Sequence, residues 1–558
     1  MTHPTPEAIE MDSEPAHVRA FRPLDHVLGL DGIRGLAVLL VVVGHTQIGF
    51  LPANYSRDIL DAIRGGFMGV DVFFVLSGFL ITALLLTERS RRGRVWFGGF
   101  YGRRALRLLP ALYFLLAAYA IYTAVTGLPI LPARNIAIAG IFYVNNWYPV
   151  FHPLSGAPGL GHLWSLSVEE QFYLVWPATL LLLARPRRGA LLVPGTCVLI
   201  AVVMVRRAML WSASEPGAWI DMFVRTDNRA DSLLVGAVTA MLWTSGAIKL
   251  RKRYLGIAGW VCLAGMAVMI GVCSPRTPFL YYGGYTLFAV CVGVVIVATV
   301  ERAWHANWFF ESRPMRLLGR VSYGLYLWHL PVYFAVARYT TAWRPLTRLI
   351  AAIVITAVCV TVSWHLIERP AQRLRRRFLA QPTAPDGVVP GRRLGPSRMF
   401  AIGLVILSVG LLVAYELPAL PAPGLTLPAN FVYRPSRPDT AYARLLEKPV
   451  GPVLDPTPSG LVAHLVNPGD YLNVDVSAKV IPAMTLSGGL TGKSFVTIAV
   501  VLNGRIASVV HTATTMLATP QFRVRLPRSA LRPGRNDVAL YLVTGPASAP
   551  RLQVIPQV

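Results

Sequence analysis

The sequence predicts an α-helical integral membrane protein: a bundle of about ten helices, an eleventh membrane helix, and a small extracytoplasmic β-sandwich at the C-terminal end. Three observations support this fold class. Of the 558 residues, 54% are hydrophobic and only 14% are charged, which is too apolar for one water-facing surface. Stretches of about 20 apolar residues recur through the first 416 positions. Beyond residue 417, apolar and polar residues alternate with the period of a β-strand.

The apolar stretches define the predicted membrane helices, because about 20 helical residues cross the hydrocarbon core of a bilayer. Ten of them fall within a membrane domain that we place at residues 27–370, and the eleventh follows the domain. In chain order the predicted spans are 28–48, 66–86, 107–126, 170–184, 190–208, 230–246, 255–273, 280–300, 317–338, 348–367 and 400–416.

Clusters of arginine and lysine set the predicted topology. The net charge of +26 would suit a nucleic-acid-binding protein if the chain were soluble, but the basic residues gather after the second, fourth, sixth and tenth predicted spans. The positive-inside rule therefore places these clusters and the N-terminus in the cytoplasm. We expect no nucleic-acid partner. Residues 1–26 contain no apolar core, so we expect a disordered cytoplasmic tail and no cleaved signal peptide.

The chain after the tenth span is predicted to form three parts. Residues 371–399 are rich in Pro, Gly and Arg without periodicity, which is typical of a linker. The span at 400–416 then crosses outward, so residues 417–558 form an extracytoplasmic domain. The predicted strands are 461–466, 471–479, 495–502, 505–510, 522–526 and 538–543, and Asn503-Gly504 between two of them predicts a hairpin turn.

The five cysteines predict neither a disulfide framework nor a metal site. They lie in or beside predicted spans, without the paired spacing of metal ligands; they are Cys197, Cys262, Cys273, Cys291 and Cys359. We therefore expect no structural metal and no tightly bound cofactor.

The first predicted helix carries both an imidazole and a guanidinium group. His45 lies 11 residues after Arg34, about three helical turns, so the two side chains share a face about 16 Å apart. Ionisable groups inside a bilayer are costly and commonly functional. The alternative is a structural histidine bonded to a backbone carbonyl and an arginine that reaches the membrane surface. We favour a functional His45.

Three arginines at the start of the third span form a candidate anion site. Arg104 and Arg107 share a helical face, and Arg103 lies beside them. Guanidinium groups suit phosphates because they form paired, charge-assisted hydrogen bonds. Ordinary positive-inside anchoring is the alternative. Because Arg34 lies at the same predicted membrane face, a phosphate-bearing cytoplasmic ligand is as well supported as anchoring.

Carboxylates inside apolar segments complete the candidate residues. Glu169 shares a face with Ser165 if their segment is helical. Complementing the helix N-terminus is the alternative role for Glu169 and Glu170. Asp71 lies in the outer half of the second span, where an unpaired carboxylate would be costly. We expect Asp71 to orient a histidine or to pair with an arginine.

Seven separated motifs occur in order over about residues 25–370. They are Leu30-Asp31-Gly32-Ile33-Arg34-Gly35 with His45, Gly69-Val70-Asp71-Val72-Phe73-Phe74-Val75-Leu76-Ser77-Gly78, Phe100-Tyr101 with Arg103, Arg104 and Arg107, Ser165-x-Ser167-x-Glu169-Glu170-x-Phe172-Tyr173, Arg229-x-Asp231, Ser322-Tyr323-Gly324-x-Tyr326-x-Trp328-His329-x-Pro331, and Ile367-Glu368-Arg369-Pro370. Together these motifs resemble those of the membrane acyltransferase family 3.

The resemblance implies a multi-pass enzyme of the bacterial cytoplasmic membrane. Such an enzyme transfers an acyl group, such as acetyl or succinyl, from the co-substrate acyl-CoA to a hydroxyl of an envelope glycan or glycolipid. His45 is then the catalytic histidine. Arg34, Arg104 and Arg107 then belong to the donor-binding or catalytic set. The residues that we expect to bind substrate are Arg34, Arg103, Arg104, Arg107, Ser165, Ser167, Glu170, Tyr173, Tyr323, Trp328 and His329. Some relatives carry an exterior SGNH hydrolase domain, but this tail lacks the Gly-Asp-Ser and Asp-x-x-His blocks of that domain.

The candidate residues fit acyl transfer. When a sugar hydroxyl attacks a thioester carbonyl, a neutral histidine with an unperturbed pKa of about 6.5 can take the proton. Glu169 or Asp71 is expected to fix the tautomer of His45, as the third group of a triad does. A covalent acyl-histidine intermediate is the second route, and the sequence does not choose between them.

Two other classes of function compete with an enzyme. A transporter of acyl groups or lipid-linked sugars would also have many spans and intramembrane charges, but the sequence has no detectable internal repeat. A scaffold that binds glycan through its exterior domain would explain the tail but not the membrane charges. The partners that we expect are acyl-CoA, an envelope sugar or glycolipid, and membrane lipids.

Overall fold

The structure is a computed structural model of the chain. It describes residues 22, 27–46, 65–126, 130–151, 159–184, 189–213, 219–275, 277–340, 343–378 and 396–416. In the C-terminal region it describes residues 445–450, 454–455, 459, 461–465, 485–491, 496–511, 513–514, 520–526, 528–544 and 549–556. The predicted N-terminal tail lies outside the described residues except for Arg22, whose Nη1 donates to Glu301 Oε1 at 3.2 Å.

The described residues before position 417 are mainly helical, and every predicted span coincides with a helix. Short segments accompany them at Gly66–Met68, Tyr148–Phe151, Gly189–Leu191, Trp219–Val224 and Asn307–Phe310. The longer helices are α1 (Leu28–His45), α2 (Gly69–Arg92), α3 (Phe97–Val125), α4 (Ile130–Ile141), α5 (Leu163–Leu183), α6 (Leu192–Ala213), α7 (Thr226–Thr244), α8 (Lys252–Val272), α9 (Tyr285–Val300), α10 (Arg313–Tyr339), α11 (Pro345–Ser363) and α12 (Pro396–Glu416).

Eight of the described helical segments are long and apolar enough to cross a membrane, namely those containing α1, α2, α3, α6, α8, α9, α11 and α12. The helices α5, α7 and α10 also occupy predicted spans, but they carry more polar residues, many of them buried. The count of eleven crossings stays a prediction. The sequence-based prediction missed α4, which has only 12 residues, too few to span a bilayer.

The predicted linker at 371–399 begins too early. A π-helical turn at Trp364–Glu368 continues α11 into a helix at Arg369–Phe378. The start of α12 at Pro396 also falls inside the predicted linker. Arginine is a good helix former, and the arginine-rich segment therefore extends the helix despite its high charge. Residues 379–395 lie outside the described part of the chain.

Glycines allow two helix pairs to approach closely. Between α1 and α10, a Cβ on Gly319 would lie 1.8 Å from the carbonyl oxygen of Asp31, and one on Gly35 would lie 2.2 Å from that of Met315. Between α2 and α7, a Cβ on Gly78 would lie 1.9 Å from the carbonyl oxygen of Leu233. Small residues at helix crossings are the usual means of close packing in membranes. These contacts fix which helix faces meet.

The described residues of the C-terminal region contain nine short strands in two sheets. They are β1 (Leu454–Asp455), β2 (Val462–Leu465), β3 (Thr485–Thr491), β4 (Thr497–Leu502), β5 (Arg505–His511), β6 (Ala513–Thr514), β7 (Pro520–Arg525), β8 (Val538–Thr544) and β9 (Arg551–Ile555). One sheet has the order β1-β9-β8-β4-β5 and the other the order β2-β3-β7-β6. The parallel pair is β1 with β9, and the other pairs are antiparallel.

The predicted hairpin at Asn503-Gly504 joins β4 and β5, and both of its residues have positive φ, 52° and 80°. A two-residue turn of this kind matches the twist of antiparallel strands. Apolar residues of both sheets, among them Leu486 and Val500, share one buried cluster. The predicted strand at 471–479 lies outside the described residues, and the β-sandwich stays a prediction.

Candidate functional site

Three histidines from different parts of the chain meet inside the bundle. His45 ends α1, His162 precedes α5, and His329 lies within α10. The ring centroids of His45 and His329 are 5.1 Å apart, and those of His162 and His329 are 5.3 Å apart. His329 Nε2 lies 3.3 Å from His45 Nδ1. His162 and His329 are buried, at 3% and 0% exposed. The close crossing of α1 and α10 brings this cluster together.

A cavity of about 270 Å³ extends to Tyr326, whose ring packs against the histidine cluster, although the three histidines do not themselves line the cavity. Arg34, Arg104 and Arg107 line it, as do Ser165 and Tyr326. The Tyr326 hydroxyl donates to the His162 carbonyl at 2.9 Å, and the Tyr326 ring lies 5.6 Å from that of His329. The cavity therefore links the arginines to the edge of the histidine cluster through Tyr326.

Two of the three predicted arginines in the third span lie at the cavity. Arg104 and Arg107 both line the cavity. The Arg104 guanidinium lies over the Tyr173 ring at 3.1 Å and 3.8 Å from Glu170 Oε1. Arg104 is thus held between an aromatic face and a carboxylate, with its charge kept inside the cavity.

Arg103 does not join Arg104 and Arg107 at the cavity, which corrects its predicted place beside them. Its Nη2 lies 3.9 Å from Glu88 Oε2, and its guanidinium lies 5.8 Å from the Trp96 ring. Successive helical residues are about 100° apart around the axis, so Arg103 and Arg104 point in different directions. These contacts suit anchoring of the α2–α3 connection.

Glu169 and Glu170 lie near the arginines rather than beside His45. Ser77 Oγ donates to Glu169 Oε1, and Glu169 lines the same cavity as Arg34 and Arg104. Arg34 also lies 3.6 Å from Asp31 Oδ1. Because about three turns of α1 separate Arg34 from His45, a carboxylate at the Arg34 end cannot fix the His45 tautomer. The prediction that Glu169 serves as the third group of a triad is wrong in this structure.

Asp71 is likewise not the partner of His45. Arg229 Nη2 donates to both of its oxygens, at 2.8 Å and 2.7 Å, and Ser232 Oγ donates to Oδ1 at 3.0 Å. Asp71 and Arg229 are fully buried. Of the two roles expected from the sequence, the arginine pair is the one observed. The partner comes from α7, 158 positions away along the chain, which a single sequence does not show.

The remaining predicted substrate-binding residues divide into two groups. Ser165 and Tyr323 line the cavity, and the Tyr323 hydroxyl donates to the Leu108 carbonyl at 2.9 Å. Ser167 and Trp328 do not line it: Ser167 Oγ accepts from the Asn145 backbone N–H at 3.1 Å, and Trp328 packs edge-on against Phe114. Ser167 and Trp328 therefore support neighbouring segments.

Sequence reasoning gave no role to Tyr326 and His162, although both belong to segments that it singled out. Ser322, Tyr326 and His329 are spaced by four and three positions on α10, so they share one helical face. That spacing was the available signal for Tyr326. Nothing comparable marked His162, because its proximity to His329 depends on the packing of two distant segments.

The membrane region belongs to a known family of acyltransferases. Residues 27–366 match the family described as an acyltransferase domain, and the chain belongs to this family. With eight candidate spans among its described residues, it is a multi-pass helical membrane protein. No solved structure matches the chain.

Particular relatives match more than half of the chain. The chain is 35% identical over 366 residues to the peptidoglycan O-acetyltransferase OatA of Listeria monocytogenes, over 62% of this chain and 56% of the relative. It is 30% identical over 404 residues to the putative peptidoglycan O-acetyltransferase YrhL of Bacillus subtilis, over 69% of this chain and 61% of the relative. It is 30% identical over 364 residues to the O-acetyltransferase OatA of Staphylococcus aureus, over 62% of this chain and 57% of the relative. The chain thus spans less than two thirds of the length of these relatives.

Proposed function

We propose that this protein transfers an acyl group, acetyl in the first instance, to a hydroxyl of a cell-envelope glycan, with acyl-CoA as donor and His45 as general base. The family membership and the names of the relatives support O-acyl transfer. Peptidoglycan is the acceptor class that those names suggest. The protein acts in the cytoplasmic membrane, with its N-terminus inside and residues 417–558 outside, as the charge distribution predicts.

One observation carries the proposal: the cavity that the arginines line extends to Tyr326, which contacts the histidine cluster. Arg34, Arg104 and Arg107 line it together with Tyr326, whose ring lies beside those of His162 and His329. A donor with phosphates at one end and a thioester at the other has the charge pattern to fill such a cavity. The apolar lining, which includes Phe73 and Leu80, suits the intervening chain.

In the proposed reaction the hydroxyl oxygen of the acceptor attacks the thioester carbonyl carbon. His45 takes the hydroxyl proton as the new C–O bond forms, and the C–S bond then breaks. The leaving CoA thiolate takes the proton from the His45 imidazolium, so the enzyme returns to its starting state. The hydroxyls of Ser165 and Tyr326 bond each other and the His162 carbonyl beside the cavity. One of them is proposed to exchange its present partner for the developing oxyanion.

The arginines are proposed to hold the donor. Arg104 is already oriented by the Tyr173 ring and Glu170, so it loses little conformational freedom when a phosphate binds. Arg34 comes from α1, the helix that also carries His45. A donor that spans the two would thus be positioned by one rigid element.

The proposal is tested with the purified full-length protein, acetyl-CoA and peptidoglycan fragments. Free CoA is measured by chromatography, because the exposed thiol of Cys197 would react with a colorimetric thiol reagent. Acetyl groups on the glycan are measured by mass spectrometry. Release of CoA in step with glycan acetylation supports the proposal. Acetylation of the glycan without release of CoA would mean that another compound is the acyl donor. Binding or transport of acyl groups or sugars without either product would favour a transporter.

A further inference from the structure

The two facing histidines have tautomers that their backbone contacts determine. His45 Nδ1 lies 2.8 Å from the Val41 carbonyl oxygen, and a carbonyl oxygen only accepts hydrogen bonds. In the neutral ring the hydrogen therefore sits on Nδ1, and Nε2 carries the lone pair. Nε2 is thus the atom of His45 that can take a proton from the acceptor.

The same argument applies to His329. Its Nδ1 lies 2.7 Å from the Tyr326 carbonyl oxygen and 3.2 Å from that of Leu325. The hydrogen of the neutral ring again sits on Nδ1, so Nε2 is an acceptor. This nitrogen lies 3.3 Å from His45 Nδ1. The N–H of His45 is therefore shared between the Val41 carbonyl and His329 Nε2.

We propose that His329 is the positioning residue of the His45 base, in the place where a carboxylate stands in a serine-type triad. This inference rests on the proposed function and deepens it. When His45 takes a proton, its Nδ1–H becomes a stronger donor, and the bond to His329 Nε2 becomes charge-assisted. The carboxylates expected for this role are bonded elsewhere, Asp71 to Arg229 and Glu169 to Ser77.

The fold makes this contact rigid. His329 is fully buried, and its ring packs against those of His162, Tyr326 and Tyr333 at centroid distances of 5.3, 5.6 and 5.9 Å. The glycine-mediated crossing of α1 and α10 fixes the distance between the two backbones. A ring held this way keeps its acceptor nitrogen aimed at His45 through the reaction.

The test compares three variants of His329 in the full-length protein. His329→Gln keeps an acceptor oxygen near the position of Nε2, His329→Asn keeps only a donor near the position of Nδ1, and His329→Leu keeps neither. We expect kcat to fall about 10- to 100-fold in the Asn and Leu variants, the worth of one hydrogen bond to a charged group. The Gln variant should recover part of that loss, and the KM for acetyl-CoA should stay within about twofold in all three.

Tyr333→Phe is the matched control, because it changes a neighbour of the His329 ring while keeping the aromatic contact. It should keep the parental kcat. A Leu variant with parental kcat overturns the inference, as do equal losses in all three His329 variants. If the Leu variant does not fold, the Gln and Asn pair decides. A parent chain that releases no CoA contradicts the proposed function, whereas an active parent with an equally active Leu variant contradicts only the role of His329.

Discussion

Asp71 on α2 and Arg229 on α7 form an ion pair that is entirely enclosed by protein, with Arg229 Nη2 bonded to both carboxylate oxygens. The Arg229 guanidinium also lies 3.7 Å from the centre of the Tyr285 ring, while its Nε and Nη1 have no hydrogen-bond partner among the described residues. Such a pair stabilises a fold only while both charges are present, because either charge alone would be buried and uncompensated.

We therefore expect Asp71→Ala to destabilise the membrane domain by about 3–5 kcal/mol, the usual cost of breaking a buried pair. The measurement is thermal unfolding in detergent. The control is Arg302→Ala, which removes a pair with Glu311 whose arginine side chain is 66% exposed, and exposed pairs are worth about 0–1 kcal/mol. The double variant Asp71→Leu with Arg229→Met should be more stable than Asp71→Ala. Equal stability of Asp71→Ala and the parent would show that the pair makes no net contribution to the free energy of unfolding.

His45→Ala should abolish transfer while leaving the protein folded and inserted. Removal of a general base commonly costs about 100- to 10,000-fold in rate. CoA release and glycan acetylation are measured side by side, with thermal unfolding as the check on folding. Near-parental turnover by a folded variant would rule out His45 as the base.

Arg104→Ala and Arg107→Ala should weaken binding of the acyl donor. The KM for acetyl-CoA should then rise more than the KM for the glycan. Lysine should restore little at either position, since a point charge does not reproduce the paired hydrogen bonds of a guanidinium group. Arg103→Ala serves as the matched control, because Arg103 contacts Glu88 and Trp96 and does not line the cavity. An unchanged donor KM in both alanine variants would place the donor elsewhere.

Gly78→Ala should impair folding, because its Cβ would lie 1.9 Å from the Leu233 carbonyl oxygen at the α2–α7 crossing. Forcing these helices apart would cost about 1–3 kcal/mol, as overpacking does, and would also strain the Asp71–Arg229 pair. Gly265→Ala in α8 is the control, since a Cβ there has no heavy atom within 4 Å. Yield and unfolding temperature in detergent are compared. Equal values for the two variants would contradict the close crossing.

Removal of the C-terminal domain should leave CoA release intact and lower activity on polymeric glycan. The chain should end at residue 416 rather than after the tenth span, because α12 packs on α5, where a Cβ on Gly403 would lie 3.0 Å from the Leu174 carbonyl oxygen. The assay compares soluble fragments with intact peptidoglycan. Loss of both activities in a folded truncated chain would assign the domain to the reaction itself. Cleavage of the tail by a protease acting only from the cytoplasmic side would overturn the predicted topology.

The length of the apolar stretches located the helices well, because burial in lipid or in a membrane bundle demands about 20 apolar residues whatever the neighbours are. It failed at α4, which is too short to cross, and at residues 371–378, where helix propensity outweighs charge. The Asn503-Gly504 hairpin was predictable because its signal is entirely local.

The sequence by itself determined the helical membrane class, the order of its segments, and a helix that carries Arg34 and His45 on one face. Only the tertiary structure decided that His329 lies next to His45, that Arg229 pairs with Asp71, and that Arg103 contacts Glu88 outside the cavity. The physical reason is the distance along the chain over which each kind of interaction acts. Periodicity fixes the directions in which side chains leave one helix, whereas the meeting of two helices depends on glycine contacts between segments far apart in the chain.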